Sequence, residues 1–440
     1  MSVLSKDKRM ICDNVSVNAE GHVCFAGVDT TLLAQKYATP LYLLDEDKIR
    51  EKCRIYQSAM KASFGADALP LYAGKALCIK DIYRIMREEG MGIDVVSSGE
   101  IFTAACGGFP MEHAYFHGNN KTDADISYAM ENGVGYFVCD NEEELFAIER
   151  EAVARGITQR ILIRVAPGID PHTHKAISTG SVDSKFGAAI ETGQALAFVA
   201  LALKQPHISF EGIHCHIGSQ IFETQPFIDA AAIMVDFAAT IRDELDYTLR
   251  EINLGGGMGV PYLPEHERID YAKNIDEIAR AMRDRCDECH FPMPRVRMEP
   301  GRSIVADAGM TLYTVGTLKS IPGFRNYVSI DGGMPDNPRY ALYQSPYTVL
   351  MANRANDACD TVCTVAGRCC ESGDLVQEGV ALPKPQRGDL LAVLTTGAYN
   401  YAMASNYNRI PRPAMVMLSD GEDRLILRRE TFEDLIKNEL

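Results

Sequence analysis

Short apolar runs alternate with amphipathic stretches between about residues 68 and 302. Apolar runs bounded by glycine or polar turns predict strands, whereas apolar residues spaced three and four apart predict helices. In the stretch 79–89, for example, Ile79, Ile82 and Met86 fall on one helical face. The other predicted helices cover residues 122–132, 141–155, 227–249 and 274–288. The predicted strands cover residues 69–72, 92–96, 114–116, 136–138, 161–165, 210–214, 251–254 and 296–298.

Eight strands separated by helices within about 235 residues are typical of a (β/α)8 TIM barrel. The pattern changes beyond residue 303, where β-branched runs are separated by Gly and Pro and predict a mostly antiparallel β domain. These runs lie at 311–318, 327–331, 360–366 and 390–395, and runs at 23–25 and 41–44 can add strands. We therefore expect an α/β protein, with a barrel domain at 45–302 and a discontinuous β-rich domain at 1–44 and 303–440.

Composition and charge narrow the range of functions. Acidic residues outnumber basic ones by 60 to 44, and the net charge of −16 argues against non-specific nucleic-acid binding. The first ten residues lack the apolar core of a signal peptide, and no run of 18 apolar residues predicts a membrane segment. The 13 scattered cysteines indicate reduced thiols in a cytoplasmic protein. Cys286 and Cys289 are interpreted as helix-packing residues, and no metal site is predicted.

Polar and glycine-rich residues follow directly after the predicted strands. The carboxyl ends of parallel barrel strands meet at one face, so we expect these residues to build one site. They are Lys75, Asp140 and residues 97–100, 117–119, 216–220, 255–257 and 299–302.

Lys75 follows the first predicted barrel strand, in the sequence LPLYAGKAL. Partial desolvation at a strand end lowers the pKa of a lysine and makes its neutral amine a nucleophile toward an aldehyde. The alternative is a lysine at the barrel rim whose ammonium group stays in water.

Three features after later strands suggest a phosphate site. The backbone N–H groups of Gly255, Gly256 and Gly257 can cradle a phosphate, although a tight turn would explain the run equally well. Ser219 offers a hydroxyl to the same anion. Arg302 offers a bidentate guanidinium to a phosphate or a carboxylate, unless it only pairs with Glu299 at the surface.

Other side chains suggest recognition of a flat ring and proton transfer. Glu299 can pair with a protonated pyridine nitrogen, which makes such a ring a strong electron sink. His216 can stack on the ring, whereas His214 is interpreted as structural. In the β-rich domain, Cys370 can donate a proton beside Glu371, and Tyr399 can hydrogen-bond a phosphate. An ordinary polar loop and a packing aromatic are the alternatives there.

Together these motifs resemble the fold-type III pyridoxal-phosphate decarboxylases, which have an alanine-racemase-like barrel, and among them the diaminopimelate decarboxylases. The resemblance spans about residues 40–410, and its motifs keep their order along the chain. They are YAGKAL (72–77), DVVSSGE (94–100), FHGNNK (116–121), DSKFG (183–187), HCHIGSQI (214–221), LGGGMG (254–259), EPGR (299–302), CESGD (370–374) and GAYNYAMASNYN (397–408).

The resemblance implies a role for each matching residue. Lys75 would carry pyridoxal 5'-phosphate as a Schiff base, His216 would stack on its ring, and Glu299 would pair with its nitrogen. The other implied cofactor contacts are Asp94, Ser219, Gly255, Gly256, Gly257, Gly301, Arg302 and Tyr399. The implied substrate contacts are Arg302, Arg339, Tyr343, Glu371 and Tyr399, and Cys370 would donate the proton.

The implied reaction is decarboxylation of meso-2,6-diaminopimelate at its D-centre to L-lysine and CO2. The implied assembly is a homodimer in which the CESGD loop of one chain enters the partner's site. The chain departs from the family pattern at Gly74 and Leu77, and at Tyr340, where the family usually has a proline that restricts the backbone.

Three other functions are compatible with the same motifs. A sibling decarboxylase would act on lysine, ornithine, arginine or carboxynorspermidine, but Arg339 beside Arg302 favours a substrate with a distal carboxylate. An amino-acid racemase would use a weaker electron sink than Glu299 implies. A non-catalytic pyridoxal-phosphate-binding protein would not need Cys370, Glu371 and Tyr399.

Overall fold

The computed structural model describes residues 10–169 and 184–440. These residues form two compact units. The β-rich unit comprises the described residues up to Glu51, together with Val260–Arg268 and Ile304–Leu440. The barrel unit comprises Lys52–Gly259 and Ile269–Ser303. Asp183 of the DSKFG motif lies outside the described residues.

The β-rich unit begins with a small antiparallel sheet of strands β1 (Val15–Val17), β2 (Val23–Phe25) and β3 (Val28–Asp29). The run 23–25 thus lies in a separate three-stranded sheet. The positive φ angles of Ala26 and Gly27 form the tight turn between β2 and β3. The elements that follow are α1 (Thr30–Tyr37), β4 (Leu41–Asp45) and α2 (Glu46–Phe64), and α2 continues into the barrel unit after Glu51.

The barrel unit contains a closed ring of eight parallel strands, which confirms the predicted fold. Each strand pairs with the next along the chain, apart from a short extra strand beside β9, and the last strand pairs with the first. The ring is β5 (Leu69–Ala73), β6 (Gly92–Val95), β7 (Ala114–Phe116), β8 (Tyr136–Cys139), β9 (Gln159–Ala166), β11 (Ile208–His214), β12 (Glu251–Asn253) and β13 (Arg295–Met298), and β10 (Ala188–Ala189) is the extra strand.

Helices alternate with these strands, and several begin at polar residues that follow a strand. Ser97 accepts a hydrogen bond from the Glu100 N–H and caps one helix, and Thr122 and Asp125 form a reciprocal capping box. Part of the polar sequence after the strands therefore starts helices. The helices are α3 (Lys80–Glu88), α4 (Ser98–Cys106), α5 (Asp123–Glu131), α6 (Glu142–Arg155), α7 (Gln194–Ala202), α8 (Gln225–Leu245) and α9 (Tyr271–Glu288).

The larger sheet of the β-rich unit is mixed, with mostly antiparallel pairs as predicted. Its order is β18–β17–β15–β14–β4–β20–β21, and β19 also pairs with β14 and with β16. Among the described strand pairs of this sheet, only β15–β17 and β4–β20 are parallel. The remaining elements are α10 (Arg302–Val305), β14 (Gly309–Ile321), β15 (Arg325–Ile330), α11 (Arg339–Tyr343), β16 (Val349–Met351), β17 (Thr361–Ala366), β18 (Leu375–Leu382), β19 (Leu390–Leu394), β20 (Ala414–Ser419), β21 (Glu422–Leu427) and α12 (Phe432–Ile436).

Each unit has its own apolar core. The barrel interior is filled by side chains from β5, β7, β8 and β9, including Leu71, Tyr115 and Leu162. In the β-rich unit, Leu43 of β4 and Leu312 of β14 lie at the centre of a second core. Among the helices of the described residues, none has the length and hydrophobicity needed to cross a membrane.

Candidate active site

Lys75 follows β5 directly, in the short 3-10 turn Gly74–Ala76. Its side chain is exposed, whereas Gly74 and Ala76 are buried. A Cβ on Gly74 would lie 2.6 Å from the Tyr83 hydroxyl oxygen and 2.9 Å from the backbone oxygen of Asp94. The departure from the family pattern at residue 74 therefore has a steric reason, because the Tyr83 hydroxyl occupies that space.

Glu299 lies at the centre of a buried group of nitrogen atoms at the ends of four barrel strands. Its Oε1 lies 3.0 Å from His117 Nε2 and accepts a hydrogen bond from Asn253 Nδ2 at 2.7 Å. Its Oε2 lies 3.2 Å from His214 Nε2. The Gly255 N–H donates to Asn253 Oδ1 at 2.9 Å, which fixes the orientation of that amide.

These contacts determine which of the grouped side chains carries charge. Burial alone would raise the pKa of Glu299, but the histidine partners outweigh burial and hold that pKa well below its ordinary value. Burial lowers the pKa of His214 to about 4, so this ring is neutral at neutral pH. Glu299 is therefore an anion. The ligand atoms of Glu299, His117 and His214 lie within 4.8 Å of one another, a geometry that a metal ion could also use, and the absence of a metal stays a prediction.

Asp94 is buried within β6, at the same end of the barrel. Its Oδ1 has no hydrogen-bond partner among the residues that the structure describes. Burial raises its pKa, and the electrostatic interaction with the nearby His117 ring opposes that shift. Since buried polar atoms in proteins are nearly always paired, the unpartnered oxygen indicates a place for a ligand group.

The glycine run 255–257 follows β12 and packs backbone against backbone. Gly255 and Gly257 have φ angles of 68° and 127°, a region that favours glycine. A Cβ on any residue of the run would collide with a neighbouring carbonyl oxygen. Beside it, Arg302 Nη2 donates to Ser219 Oγ at 2.9 Å. The structure thus brings together the hydroxyl and the guanidinium that were predicted to share a phosphate.

His216 and Gly301 are placed by backbone neighbours. The Gly256 N–H donates to His216 Nδ1 at 3.3 Å. Burial, followed by the nearby charge of Lys75, lowers the pKa of His216 well below its ordinary value, so the ring is neutral. A Cβ on Gly301 would lie 2.8 Å from the Cβ of Ala73, so the EPGR turn packs closely against the end of β5.

Arg339 lies in the β-rich unit and is buried among neutral groups. Its Nη1 donates to Tyr262 Oη at 2.9 Å, and its Nη2 donates to Ser345 Oγ at 3.1 Å. Its guanidinium carbon lies 5.8 Å from the centre of the Tyr399 ring. Within residues 10–169 and 184–440, no carboxylate forms an ion pair with it. Tyr343 lies one turn further along the same helix α11, so the predicted Arg–Tyr pair shares one helical face.

Cys370 and Glu371 have exposed side chains in the loop between β17 and β18. Hydrogen bonds nevertheless fix the backbone of this loop. The Cys370 N–H donates to Asn408 Oδ1 at 2.8 Å, and the Cys369 N–H donates to Asp374 Oδ2 at 2.7 Å. An ordered loop therefore presents both candidate side chains to solvent in the single chain.

Four residues of the barrel site had no individual role predicted from the sequence. His117 belongs to the FHGNNK motif, and its position after a predicted strand was the available signal. His214 contacts Glu299 although it was interpreted as structural, and Asn253 carried no signal within its short strand. Arg164 is buried in β9 with its guanidinium carbon 4.2 Å from the centre of the Phe186 ring. A lone arginine inside an apolar run was the signal for it.

Comparison with known proteins decides the family. Residues 46–306 match the family model described as "Pyridoxal-dependent decarboxylase, pyridoxal binding domain". A diaminopimelate decarboxylase of Bacillus subtilis (strain 168) is 44% identical over 423 residues and covers 96% of both chains. This chain belongs to the diaminopimelate decarboxylases, a family of pyridoxal-dependent enzymes. A relative of the same name from Staphylococcus aureus (strain COL) is 42% identical over 97% of this chain and 99% of its own.

Solved structures agree with this family assignment. The diaminopimelate decarboxylase of M. jannaschii in complex with L-lysine is 34% identical, covers 97% of this chain and 98% of its own, and has a TM-score of 0.89. The Helicobacter pylori enzyme complexed with L-lysine has a TM-score of 0.84 at 32% identity, with coverages of 93% and 98%. The predicted family, fold class and cofactor are thus confirmed, and the chain is a pyridoxal-phosphate-dependent carboxy-lyase.

Proposed function

We propose that this decarboxylase acts on meso-2,6-diaminopimelate at its D-centre and releases L-lysine and CO2. The observation that carries the proposal is Arg339, a buried guanidinium with only neutral hydrogen-bond partners among the described residues. Such a group suits a substrate carboxylate far from the reacting centre, which lysine and ornithine lack. Relatives named for this substrate, and solved relatives complexed with L-lysine, support the same choice.

The direct test measures CO2 release by the purified enzyme with added pyridoxal phosphate. We expect kcat/KM for meso-diaminopimelate to exceed the values for L-lysine and L-ornithine by at least about a hundredfold, because a desolvated ionic contact is worth several kcal/mol. A preference for either basic amino acid would identify a sibling decarboxylase. No CO2 from any of the three, with the cofactor bound, would identify a non-catalytic protein.

The barrel residues fit pyridoxal phosphate, and we assign their roles from that fit. When bound, the cofactor supplies an electron sink for the electron pair left behind by CO2. Lys75 attaches it covalently. The anionic Glu299 is suited to keep a proton on the ring nitrogen, and neutral His216 is suited to lie against the ring. The unpartnered Asp94 oxygen offers a further polar contact.

We assign the phosphate to a separate group of residues. Ser219 and Arg302 already share a hydrogen bond, and the glycine run brings backbone N–H groups close to a bound anion. Gly301 leaves room where a side chain would intrude. We also propose that Tyr399 contacts the phosphate or the substrate.

The remaining assignments concern the substrate and the proton. Arg339 and Tyr343 bind the distal carboxylate, together with Arg302. Glu371 binds the distal amine, and Cys370 donates the proton that replaces the lost carboxylate. The exposure of Cys370 and Glu371 in the single chain supports the proposal that they complete the site of a partner subunit in a homodimer.

A complementation experiment tests the shared site. Lys75→Ala and Cys370→Ala chains are each impaired when expressed alone. If sites are shared, a mixed dimer contains one complete site, so equal co-expression should restore about a quarter of wild-type activity, as expected for random pairing in a two-fold dimer. If each site lies within one chain, every site in the mixed dimer carries a substitution, and activity does not rise.

Two further parts of the proposal concern organisation and location. We propose that residues 45–302 form the pyridoxal-phosphate-binding barrel domain and that residues 1–44 and 303–440 form a discontinuous β-rich domain. All 13 cysteines lie in the described residues and none is in a disulfide, which supports a cytoplasmic location.

A further inference from the structure

Three loops of the β-rich unit carry the residues assigned above to substrate, proton and phosphate. We name them the Arg339 loop (331–343), the Cys370 loop (367–374) and the Tyr399 loop (397–409). Asp374 and Asn408 have no part in those assignments, yet the side chain of each links its own loop to another.

The buried carboxylate of Asp374 joins the Cys370 loop to the Arg339 loop. Its Oδ2 accepts the Cys369 N–H at 2.7 Å, and its Oδ1 accepts the Met334 N–H at 2.6 Å. A second bond joins the same two loops, from the Arg368 N–H to the Gly332 oxygen at 3.0 Å. A Cβ on Gly333 would lie 2.5 Å from Asp374 Oδ1, so glycine at this position makes room for the carboxylate.

Asn408 joins the Cys370 loop to the Tyr399 loop. Its Oδ1 accepts the Cys370 N–H at 2.8 Å, next to the proposed proton donor itself. The φ of Asn408 is 51°, a left-handed conformation that asparagine tolerates better than most residues. The third side of the triangle is a backbone bond from the Ser405 N–H to the Pro335 oxygen at 2.8 Å. Each loop is therefore bonded to both of the others.

We propose that Asp374 and Asn408 are positioning residues that hold the three loops in one register. The proposal rests on the proposed function for the roles of Cys370, Arg339 and Tyr399. A proton donor must lie within hydrogen-bond reach of the atom that it protonates, and a misplacement of about 1 Å can cost about a hundredfold in rate. A loop that carries such a donor on an exposed tip therefore needs fixed backbone contacts beneath it.

The decisive pair of variants is at residue 408. Asn408→Gly removes the acceptor and is unstrained at φ 51°, whereas Asn408→Asp keeps an oxygen acceptor in the same place. We expect kcat on meso-diaminopimelate to fall about tenfold or more in Asn408→Gly and to stay within about twofold of wild type in Asn408→Asp. Asp374→Asn keeps only one acceptor oxygen for two N–H donors and should resemble Asn408→Gly.

A second measurement does not depend on catalysis. The rate of alkylation of Cys370 by iodoacetamide, measured by peptide mass spectrometry, reports how the loop holds this thiol. Cys106, an exposed thiol of α4, serves as the internal reference. We expect the ratio of the Cys370 to the Cys106 alkylation rate to change at least about threefold in Asn408→Gly and to return to the wild-type value in Asn408→Asp.

Asp389→Asn is the matched control. Asp389 is also a buried aspartate of the β-rich unit, and its Oδ2 accepts the Gln386 N–H at 2.7 Å, outside the three loops. The Asp389→Asn substitution should lower the melting temperature without changing kcat or the ratio of the two alkylation rates.

Two results would overturn the proposal. One is an unchanged kcat and alkylation ratio in both Asn408→Gly and Asp374→Asn. The other is a loss of kcat that follows the melting temperature as in Asp389→Asn, with Cys370 alkylation unaltered. If the wild-type enzyme does not decarboxylate meso-diaminopimelate, the proposed function fails, while the alkylation measurements still decide whether the two residues fix the loop.

Discussion

Glu299 and Arg339 are both buried charges, but their surroundings differ in kind. Glu299 meets two histidine rings and an amide nitrogen, whereas Arg339 meets a phenol, a hydroxyl and an aromatic ring. A buried ion costs several kcal/mol unless its hydrogen bonds and its charge are matched. The protein surrounds the Glu299 carboxylate with histidine rings whose interactions hold its pKa low, but it supplies only hydrogen bonds to Arg339.

The difference indicates two kinds of site. The barrel site is built around a fixed anion, as expected for a resident cofactor whose ring nitrogen stays protonated. The Arg339 site keeps a positive charge without a resident counter-ion among the described residues, as expected for a carboxylate that arrives and leaves with each turnover. Substitutions at the two sites should therefore affect different kinetic constants.

The largest effect is expected from Lys75→Ala, because covalent attachment of the cofactor would be lost. We expect kcat to fall by more than about a thousandfold, with loss of the visible absorbance of the attached cofactor after dialysis. Lys80→Ala, at an exposed lysine that begins α3, is the matched control and should keep both properties. Turnover and absorbance that survive in Lys75→Ala would exclude this lysine as the attachment site.

Glu299→Gln tests the fixed anion. Loss of its charge should lower kcat by about 10²- to 10³-fold, while KM for meso-diaminopimelate changes only a few-fold. Glu144→Gln is the control, since Glu144 is another buried barrel carboxylate, paired with Lys121 at 2.7 Å. It should lower the melting temperature but leave kcat unchanged. Equal effects of the two substitutions on kcat would show that Glu299 acts only through stability.

Arg339→Leu tests the unmatched cation. We expect kcat/KM for meso-diaminopimelate to fall about 30- to 1000-fold, equivalent to about 2–4 kcal/mol, with most of the loss in KM. Residual turnover of L-lysine, which has no distal carboxylate, should not fall. The control is Arg354→Leu, because the Arg354 charge is already paired with Asp389 and Asp357. A parallel loss for both amino acids would contradict the assigned role of Arg339.

The smallest expected effect is on the pH dependence of stability, through Asp336, a third buried ionisable group. Burial raises the pKa of Asp336 from 3.8 to about 7, although the Tyr313 hydroxyl donates to it. The folded protein then holds a proton that the unfolded chain releases, so the contribution of Asp336 to stability declines as pH rises from about 4 to 7. Asp336→Asn should remove that decline, and melting temperatures at pH 5 and pH 8 measure it.

The matched control for this prediction is again Asp389→Asn, with the opposite sign. Burial would raise the pKa of Asp389, but hydrogen bonds from Arg354 and its neighbours outweigh it and lower the pKa. The stability contributed by Asp389 is therefore present at neutral pH and lost in acid. Since the ordinary pKa of this carboxyl is 3.8, Asp389→Asn should cost the same melting temperature at pH 8 and at pH 5, and the cost should shrink only below about pH 4. The same trend in both variants would refute the assigned pKa shifts.

The barrel was predictable because its strands are buried on both faces and appear as continuous apolar runs. All eight predicted runs became strands of the ring, with end shifts of one or two residues in most cases. Helix α7 was missed because its sequence, QALAFVALA, is apolar almost throughout and has no amphipathic period. In the β-rich unit, β18 and β21 mix polar and apolar residues without a regular alternation. They were missed because no period of two marks them as strands.

A site residue was predictable from the sequence only where its own position, directly after a predicted strand, indicated its place in the site. Lys75, the glycine run and Glu299 stand directly after strands, so the fold alone places them at one end of the barrel. The partners of Glu299 come from β7, β11 and β12, and their meeting depends on how the ring closes. The roles of Asp374 and Asn408 depend likewise on loops that are far apart in sequence.

Residues Val260–Arg268 belong to the β-rich unit although they stand between β12 and α9 of the barrel unit. The chain therefore passes between the units four times, after residues 51, 259, 268 and 303. No single proteolytic cut can release either unit. A chimaera that takes its β-rich unit from a relative would need three coordinated exchanges, including the short interior segment. Recombination during evolution faces the same requirement, so the two units are expected to be inherited together.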